Sequence, residues 1–398
     1  MKNLLITTAL SVGFASAAFA NDSDIDQIGL GNNAVVTQSG GTGSSSTVLQ
    51  NGDNDLATVL QSDGAGTDTN ISSIQQLGGS GTQTANVKQN NAANGPTNNA
   101  QVIQDSTQGG NFAGIDQDGD GNSALAQQGP GDAVNCGLFG CSSTSPLDIT
   151  NSVASLQQVG TGNTATTLQV VGSNGGDNNV AGTMQDGIGN TASIRQGTGA
   201  VNSVWFVPNP ASNDNDNLAQ IDQTGDGNTS AIEQGGESGT ANNMQVGMDN
   251  DSTIVQSGGL PGLGNNALVT QNGDRNTSLV AQTSANGDLP ALPSGTRAVV
   301  TQNADDSEST IIQKPLGGHL AVLTQNGADH YSMIEQDGLL NTAEVTQSLT
   351  GQESTIFQTG PSVVGPVGNV ALVTQTMTSG NGSLITQSGI GNLSTVMQ

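Results

Sequence analysis

Few residues in this 398-residue sequence have the types and spacing that catalysis requires. The only two histidines, His319 and His330, fall at turn or strand-start positions of ordinary repeat units, and no Ser/His/Asp arrangement stands out around either of them. A pectin-cleaving β-helix enzyme would need Asp clusters beside Arg or Lys to hold the sugar acid, and the chain has only three Arg. We therefore predict no catalytic residues, no cofactor and no enzymatic activity.

One segment imitates a calcium loop. Asp116, Asp118, Asp120 and Gly121 match the first, third, fifth and sixth positions of an EF-hand loop. The twelfth position is Gln127 instead of the bidentate Glu, and no flanking helix is plausible. The segment also obeys the repeat described below, so we interpret the match as coincidence.

The two cysteines, Cys136 and Cys141, lie in one Gly/Ser/Pro-rich segment. In an oxidising compartment a small local disulfide is the favoured state. Zinc is the alternative, but two thiolates without a nearby His or further Cys would leave a tetrahedral site half empty. The sequence predicts no metal site.

Glutamine is the residue type whose spacing carries information. Twenty-eight glutamines each end a short segment in which apolar and polar residues alternate. Of the 27 gaps between these glutamines, 14 are eleven residues long. Most have an aliphatic residue two places earlier, as Leu156 precedes Gln158. This preferred spacing of eleven residues indicates a structural repeat. The composition alone, with 57 Gly and 2% aromatic residues, would also suit a disordered chain.

Short strands are the elements that fit this repeat. Glycine in nearly every unit and many Val, Ile and Thr residues oppose helix and favour strands joined by tight turns. About six strand residues plus about five turn residues fill an eleven-residue unit. We therefore predict an all-β fold: a β-solenoid of about 14 two-strand coils, in two stacked parallel sheets, with loop insertions.

Stacked coils would place equivalent residues directly above one another. An inward Gln or Asn can then donate to and accept from its copies in the coils above and below, so a buried amide is satisfied because it is repeated. Alanine and serine would fill the narrow places, and aliphatic residues would close the gap between the sheets.

Residues 1–20 predict export. Lys2 precedes an apolar run, and Ala18-Phe19-Ala20 resembles a signal-peptidase site, with cleavage before Asn21. No later segment reaches the ~18–20 continuous apolar residues of a membrane helix, so we predict no membrane insertion. The net charge of −27 repels phosphates and predicts no nucleic-acid binding. We expect a product secreted to the cell surface of a diderm bacterium.

The repeat domain is predicted to span residues 21–398. It is interrupted by insertions at about 129–157, 197–217, 283–296 and 359–368, and the second of these contains Trp205. Trp205 is expected to pack on the solenoid flank, with a ligand or partner contact as the alternative.

The full repeat unit resembles a known family. Ser152, Gln158, Gly160, Gly162, Asn163, Ala165 and Gln169 follow the pattern S-x5-Q-x-G-x-G-N-x-A-x3-Q. This pattern resembles the curlin repeat along nearly the whole chain after residue 20. The resemblance implies a secreted subunit of curli-like functional amyloid fibres, used for adhesion and biofilm matrix. The partners implied are further copies of the chain and a curli-like nucleator or secretion channel.

The resemblance also assigns a self-assembly role to the matching amide side chains. They are Gln27, Asn32, Gln38, Gln117, Asn122, Gln128, Gln158, Asn163, Gln169, Gln185, Asn190, Gln196, Gln223, Asn228, Gln234, Gln336, Asn341, Gln347, Gln387, Asn392 and Gln398. We expect growth by addition of subunits to exposed edge strands.

Two other functions fit a solenoid. A surface adhesin could use the same coil without polymerising, if its insertions blocked the ends. An ice-binding solenoid would need flat Thr-x-Thr ranks on one face, whereas we expect the outward positions to be irregular.

Overall fold

The alternation of inward and outward residues forms strands throughout the repeat domain. In the computed structural model, residues 21–41, 43–63, 69–78, 81–91, 95–106, 109–129, 149–170, 176–197, 216–236, 238–258, 264–283, 295–314, 318–360, 368–376 and 379–398 are described. Strands and turns account for their secondary structure, and none of these residues is helical. Twenty-eight strands belong to two parallel sheets of 14 strands each.

Sheet A takes the first strand of each coil. Its strands, in spatial order, are β1 (Asp22–Ile28), β3 (Ser45–Asn51), β5 (Asn70–Gly78), β7 (Asn98–Ser106), β9 (Ser123–Gly129), β12 (Thr164–Val170), β15 (Thr191–Gln196), β17 (Thr229–Gly235), β19 (Asp251–Ser257), β21 (Thr277–Thr283), β23 (Glu308–Gln313), β25 (Tyr331–Asp337), β27 (Glu353–Thr359) and β29 (Gly382–Ser388).

Sheet B takes the second strand of each coil. Its strands are β2 (Asn33–Ser39), β4 (Leu56–Asp63), β6 (Thr84–Asn91), β8 (Phe112–Asp120), β11 (Val153–Thr161), β14 (Val180–Ile188), β16 (Leu218–Thr224), β18 (Thr240–Val246), β20 (Asn266–Asn272), β22 (Arg297–Asn303), β24 (Leu320–Ala328), β26 (Thr342–Thr350), β28 (Val370–Gln375) and β30 (Leu393–Met397). A separate two-stranded sheet pairs β10 (Ile149–Thr150) with β13 (Gly176–Asp177).

The predicted fold is confirmed in its class, its coil number and its register. Each sheet keeps equivalent repeat positions opposite each other, so that Gln158 pairs with Gln117 on one side and with Gln185 on the other. Because a parallel sheet joins strands of successive coils, the chain alternates between the sheets as it advances along the solenoid.

Most strands of the two large sheets send three side chains inward: a small residue, an aliphatic residue and then the glutamine. In β24 these are Ala321, Leu323 and Gln325, all fully buried. Alanine dominates the small position in sheet B and serine is frequent in sheet A. The aliphatic side chains of the two sheets meet and form a thin core, which is the packing that the composition predicts.

The apolar core is divided in the middle of the solenoid. Thr167 of β12 and Thr183 of β14 occupy the aliphatic position and are buried, and neither hydroxyl has a hydrogen-bond partner among the described residues. One apolar cluster ends at Ala165 and the next begins at Ala181. The aliphatic filling predicted for this position is therefore interrupted here.

The two edges of the solenoid differ. From β8 to β27 the chain passes from sheet B to sheet A through only two to four residues. The four predicted insertions all lie in the opposite passage, after the sheet A strands β9, β15, β21 and β27. β11 already begins at Val153, so the first insertion ends before the predicted boundary of 157. Trp205 lies outside the described residues, as do residues 1–20.

Candidate functional site: two glutamine ladders

The glutamines of sheet A form one unbroken ladder of side-chain hydrogen bonds. Each Nε2 donates to the Oε1 of the glutamine in the next coil, at 2.6–3.0 Å. The members in order are Gln27, Gln50, Gln76, Gln104, Gln128, Gln169, Gln196, Gln234, Gln256, Gln282, Gln313, Gln336, Gln358 and Gln387.

Sheet B carries a second ladder of the same kind, with distances of 2.8–3.0 Å. Its members are Gln38, Gln61, Gln89, Gln117, Gln158, Gln185, Gln223, Gln245, Gln271, Gln302, Gln325, Gln347, Gln375 and Gln398. The interior members of both ladders are buried. Burial removes their amide groups from water, and the ladder hydrogen bonds replace those that water would make.

A second hydrogen bond fixes the direction of each amide. Gln158 Nε2 also donates to the backbone carbonyl of Ser123, the first residue of the opposing strand β9, at 3.0 Å. Gln325 does the same with Glu308 at 3.2 Å, and every other ladder glutamine after Gln27 has an equivalent bond. A flipped amide would place an oxygen against this carbonyl oxygen, so both ladders run in one direction.

The predicted asparagines make different contacts from those expected. They lie at the corner immediately before a strand, where the chain turns between the sheets. Asn163 Oδ1 accepts the backbone N–H of Asn190 in the next coil at 2.9 Å, and Asn163 Nδ2 donates to the carbonyl of Gly187 at 3.0 Å. The asparagine thus bonds mainly to backbone, because at the corner the nearest groups of the next coil are main-chain atoms.

The structure brings the predicted glutamines together but divides the predicted asparagines between the corners of the two sheets. All fourteen predicted glutamines belong to the two ladders. Asn122, Asn163, Asn190 and Asn228 occupy successive sheet A corners, each bonded to the next. Asn32, Asn341 and Asn392 precede sheet B strands instead, and Asn32 lies far from the other two.

Sequence reasoning missed other corner residues. They include Asn98, Asn179, Asn217, Asn250, Asn276 and Asn369, whose Oδ1 atoms accept a backbone N–H of the following coil. The signal that could have found them is position alone: each lies six residues before a ladder glutamine.

Both histidines occupy corners as well. His319 Nδ1 accepts the N–H of Asn341 at 3.3 Å, and His330 Nδ1 accepts that of Gln352 at 3.4 Å. Each side chain is only 2% exposed. Burial lowers the pKa of His319 to about 4 and also lowers the pKa of His330, so both imidazoles are neutral at pH 7.

The calcium-like segment forms part of an ordinary coil. Asp116 points outward from β8 and makes an ion pair with Lys88 of the preceding coil at 3.0 Å. Within the part of the chain that the structure describes, no group of three or more His, Cys, Asp or Glu residues could hold a metal ion. Cys136 and Cys141 lie outside that part, so their predicted disulfide stays a prediction.

No protein-family model matches this chain, and no curated protein matches it. The described ranges contain no helix that is long and apolar enough to cross a membrane. The resemblance to curlin therefore depends on the repeat residues themselves.

Proposed function

We propose that this chain is a secreted structural subunit that assembles end to end into curli-like amyloid fibres, for cell-surface adhesion and biofilm matrix. The observation that supports this most is the uniform direction of the two glutamine ladders. Each coil of the solenoid already extends the two ladders of the coil before it. The first coil of another subunit could extend them in the same way.

The two ends of the described solenoid are complementary. At β1 and β2, Gln27 and Gln38 donate to the next coil and accept no bond at Oε1 from the described residues. At the other end, Gln387 and Gln398 accept from the preceding coil, and their Nε2 groups bond only within their own coil and the one before it. Joining donor end to acceptor end would extend both ladders.

The backbone offers the same complementarity. Gln398 N–H donates to Thr374 O, and alternate residues of a strand point to opposite sides. The N–H groups of Leu393, Thr395 and Met397 in β30 therefore point away from β28 and are available to a further strand. Edge strands of this kind are templates for addition of another chain.

Proline substitution at these edges tests the proposal. Leu384→Pro in β29 and Thr395→Pro in β30 each remove an outward N–H without removing a bond of the existing sheet. The matched control carries Leu384→Ala and Thr395→Ala. We expect chains of residues 21–398 and the alanine control to form thioflavin-binding fibres with a lag phase that preformed seeds shorten, and the proline pair to stop growth.

The opposite result distinguishes the alternative. If residues 21–398 stay soluble in the presence of seeds, at concentrations where solenoid folding is verified by circular dichroism, the chain is a surface solenoid that does not polymerise. If the proline pair grows as fast as the alanine control, growth does not use these strand edges.

A further inference from the structure

Half of the outer surface of sheet B carries very few charged side chains. This neutral face consists of the outward side chains of the seven strands β18, β20, β22, β24, β26, β28 and β30. Arg297 and Glu344 are its only charged residues, so its net charge is zero in a chain of net charge −27. On the same coils, sheet A points Glu308, Glu335 and Glu353, among other acids, to the outside.

The neutral face is ordered in columns. Thr270, Thr301, Thr324, Thr346 and Thr374 stand directly beside one another on five successive strands. Their spacing is that of neighbouring strands, ~4.8 Å. The sequence predicts irregular outward positions, and this column shows that prediction to be wrong for these coils.

A second column beside the threonines is mainly aliphatic. It contains Leu268, Val299, Val322 and Leu372, with Glu344 between the last two. At the two ends of the face, Met244 is 36% exposed and Met397 is 73% exposed. Small β-branched and aliphatic side chains in straight columns make a flat surface, which is the shape that a second sheet can pack against.

We propose that the neutral face pairs with the neutral face of a second copy of this chain, with the two solenoid axes antiparallel. This pairing is side to side and does not depend on the end-to-end growth proposed above. The occupant is a second copy because the face is complementary to itself under a two-fold rotation.

The two charges supply the complementarity. β24 is the middle strand of the seven, and Arg297 lies one strand before it while Glu344 lies one strand after it. A two-fold axis along β24 places β22 of one copy over β26 of the other. Arg297 of each copy then lies within two residues of Glu344 of its partner, a spacing of ~7 Å that an arginine side chain spans.

The available area is sufficient for a specific dimer. Seven strands at ~4.8 Å by six residues at ~3.3 Å give ~700 Å² per copy, or ~1,400 Å² in total. Stable protein interfaces bury about 1,200–2,000 Å². Pairing elsewhere along sheet B would meet uncompensated acids, such as Asp186 and Asp222 on β14 and β16.

Sedimentation of the freshly prepared soluble chain, before any fibres grow, tests the pairing. Thr324 lies on the proposed axis, so Thr324→Glu would place two like charges face to face. Gln157→Glu is the matched control, because Gln157 occupies the same outward column of sheet B in β11, outside the neutral face. We expect the unchanged chain and the control to sediment with twice the chain mass, and Thr324→Glu with the mass of one chain.

A charge exchange makes the test specific to the proposed geometry. Arg297→Glu should raise the dimer dissociation constant by roughly tenfold or more, and adding Glu344→Arg to it should restore the original value. A monomeric unchanged chain would overturn the proposal, and so would a dimer that Thr324→Glu leaves intact. Because fibres are absent from this measurement, the result is independent of whether the chain polymerises.

Discussion

Gln157 and Gln158 are neighbours in the sequence but occupy opposite environments. Gln158 is fully buried, accepts from Gln117 at 2.8 Å and donates to Gln185 at 2.9 Å, whereas Gln157 points to solvent. The period of two alone predicts this difference. The repeat of the glutamine predicts its partners, because a buried amide in a stacked coil lies nearest to its own copies.

The pair gives a matched test of the ladder. Gln158→Ala removes the partner of Gln117 and Gln185 and leaves two buried amide groups short of a hydrogen bond, so we expect it to lower the free energy of unfolding by about 3 kcal/mol. Gln157→Ala should change it by less than about 0.5 kcal/mol. Urea unfolding of soluble chains measures both; equal effects would contradict the ladder.

The corner residues could be predicted only in part. Their positions follow from the repeat, but their bonding partners do not, since the path of the backbone at the turn decides which atoms come within reach. The histidines could likewise be predicted only in part. Their place at a turn is visible in the sequence, whereas their burial depends on the neighbouring coils that cover them.

Burial of His319 makes stability depend on pH. Its pKa is about 4 in the folded chain and 6.5 in the unfolded chain, so protons bind the unfolded chain first. The stability present above pH 6.5 is therefore lost as the pH falls toward 4, by about 3 kcal/mol. His319→Asn restores the usual corner residue, and we expect it to remove this part of the pH dependence.

The difference in unfolding free energy between the unchanged chain and His319→Asn, measured at several pH values, isolates this contribution. All carboxylates and His330 are common to both chains and cancel. A constant difference between pH 7 and pH 4 would mean that His319 titrates alike in both states.

At the scale of elements, the two glycines of the Gly-x-Gly turn differ in backbone conformation and in the space available for a side chain. Gly187 has φ 134°, and a Cβ there would lie 2.0 Å from the carbonyl oxygen of Gly225 in the next coil. Gly189 has φ 68° with open space around it, and equivalent positions hold Asp249 and Asp306. The sequence predicts a turn with positive φ, but only the stacked coils show that a Cβ at Gly187 would meet the backbone of the next coil.

Substitution at the two positions should therefore differ. Gly187→Ala combines backbone strain with a clash against a fixed carbonyl, and we expect a loss of about 3 kcal/mol or more in unfolding free energy. Gly189→Asp should cost less than about 1 kcal/mol, since Asp tolerates this conformation. Thermal unfolding of the two variants compares them, and similar losses would show that the inter-coil contact is not limiting.

At the scale of the whole molecule, the number of coils was predictable because each glutamine marks one strand. The neutral face was not, because it appears only when outward residues separated by 22 to 31 positions are set side by side. The two surfaces also suit different contacts: open strand edges fit end-to-end growth, and a flat uncharged face fits lateral pairing.

The axial rise per subunit in assembled fibres, measured by cryo-electron microscopy, tests the central claim most directly. Fourteen coils at ~4.8 Å predict a rise of ~67 Å, with strand layers continuing across the junction between subunits. A rise of ~4.8 Å per chain would mean that each chain refolds into one flat layer, and that the solenoid with its directed glutamine ladders is not the fibre's building block.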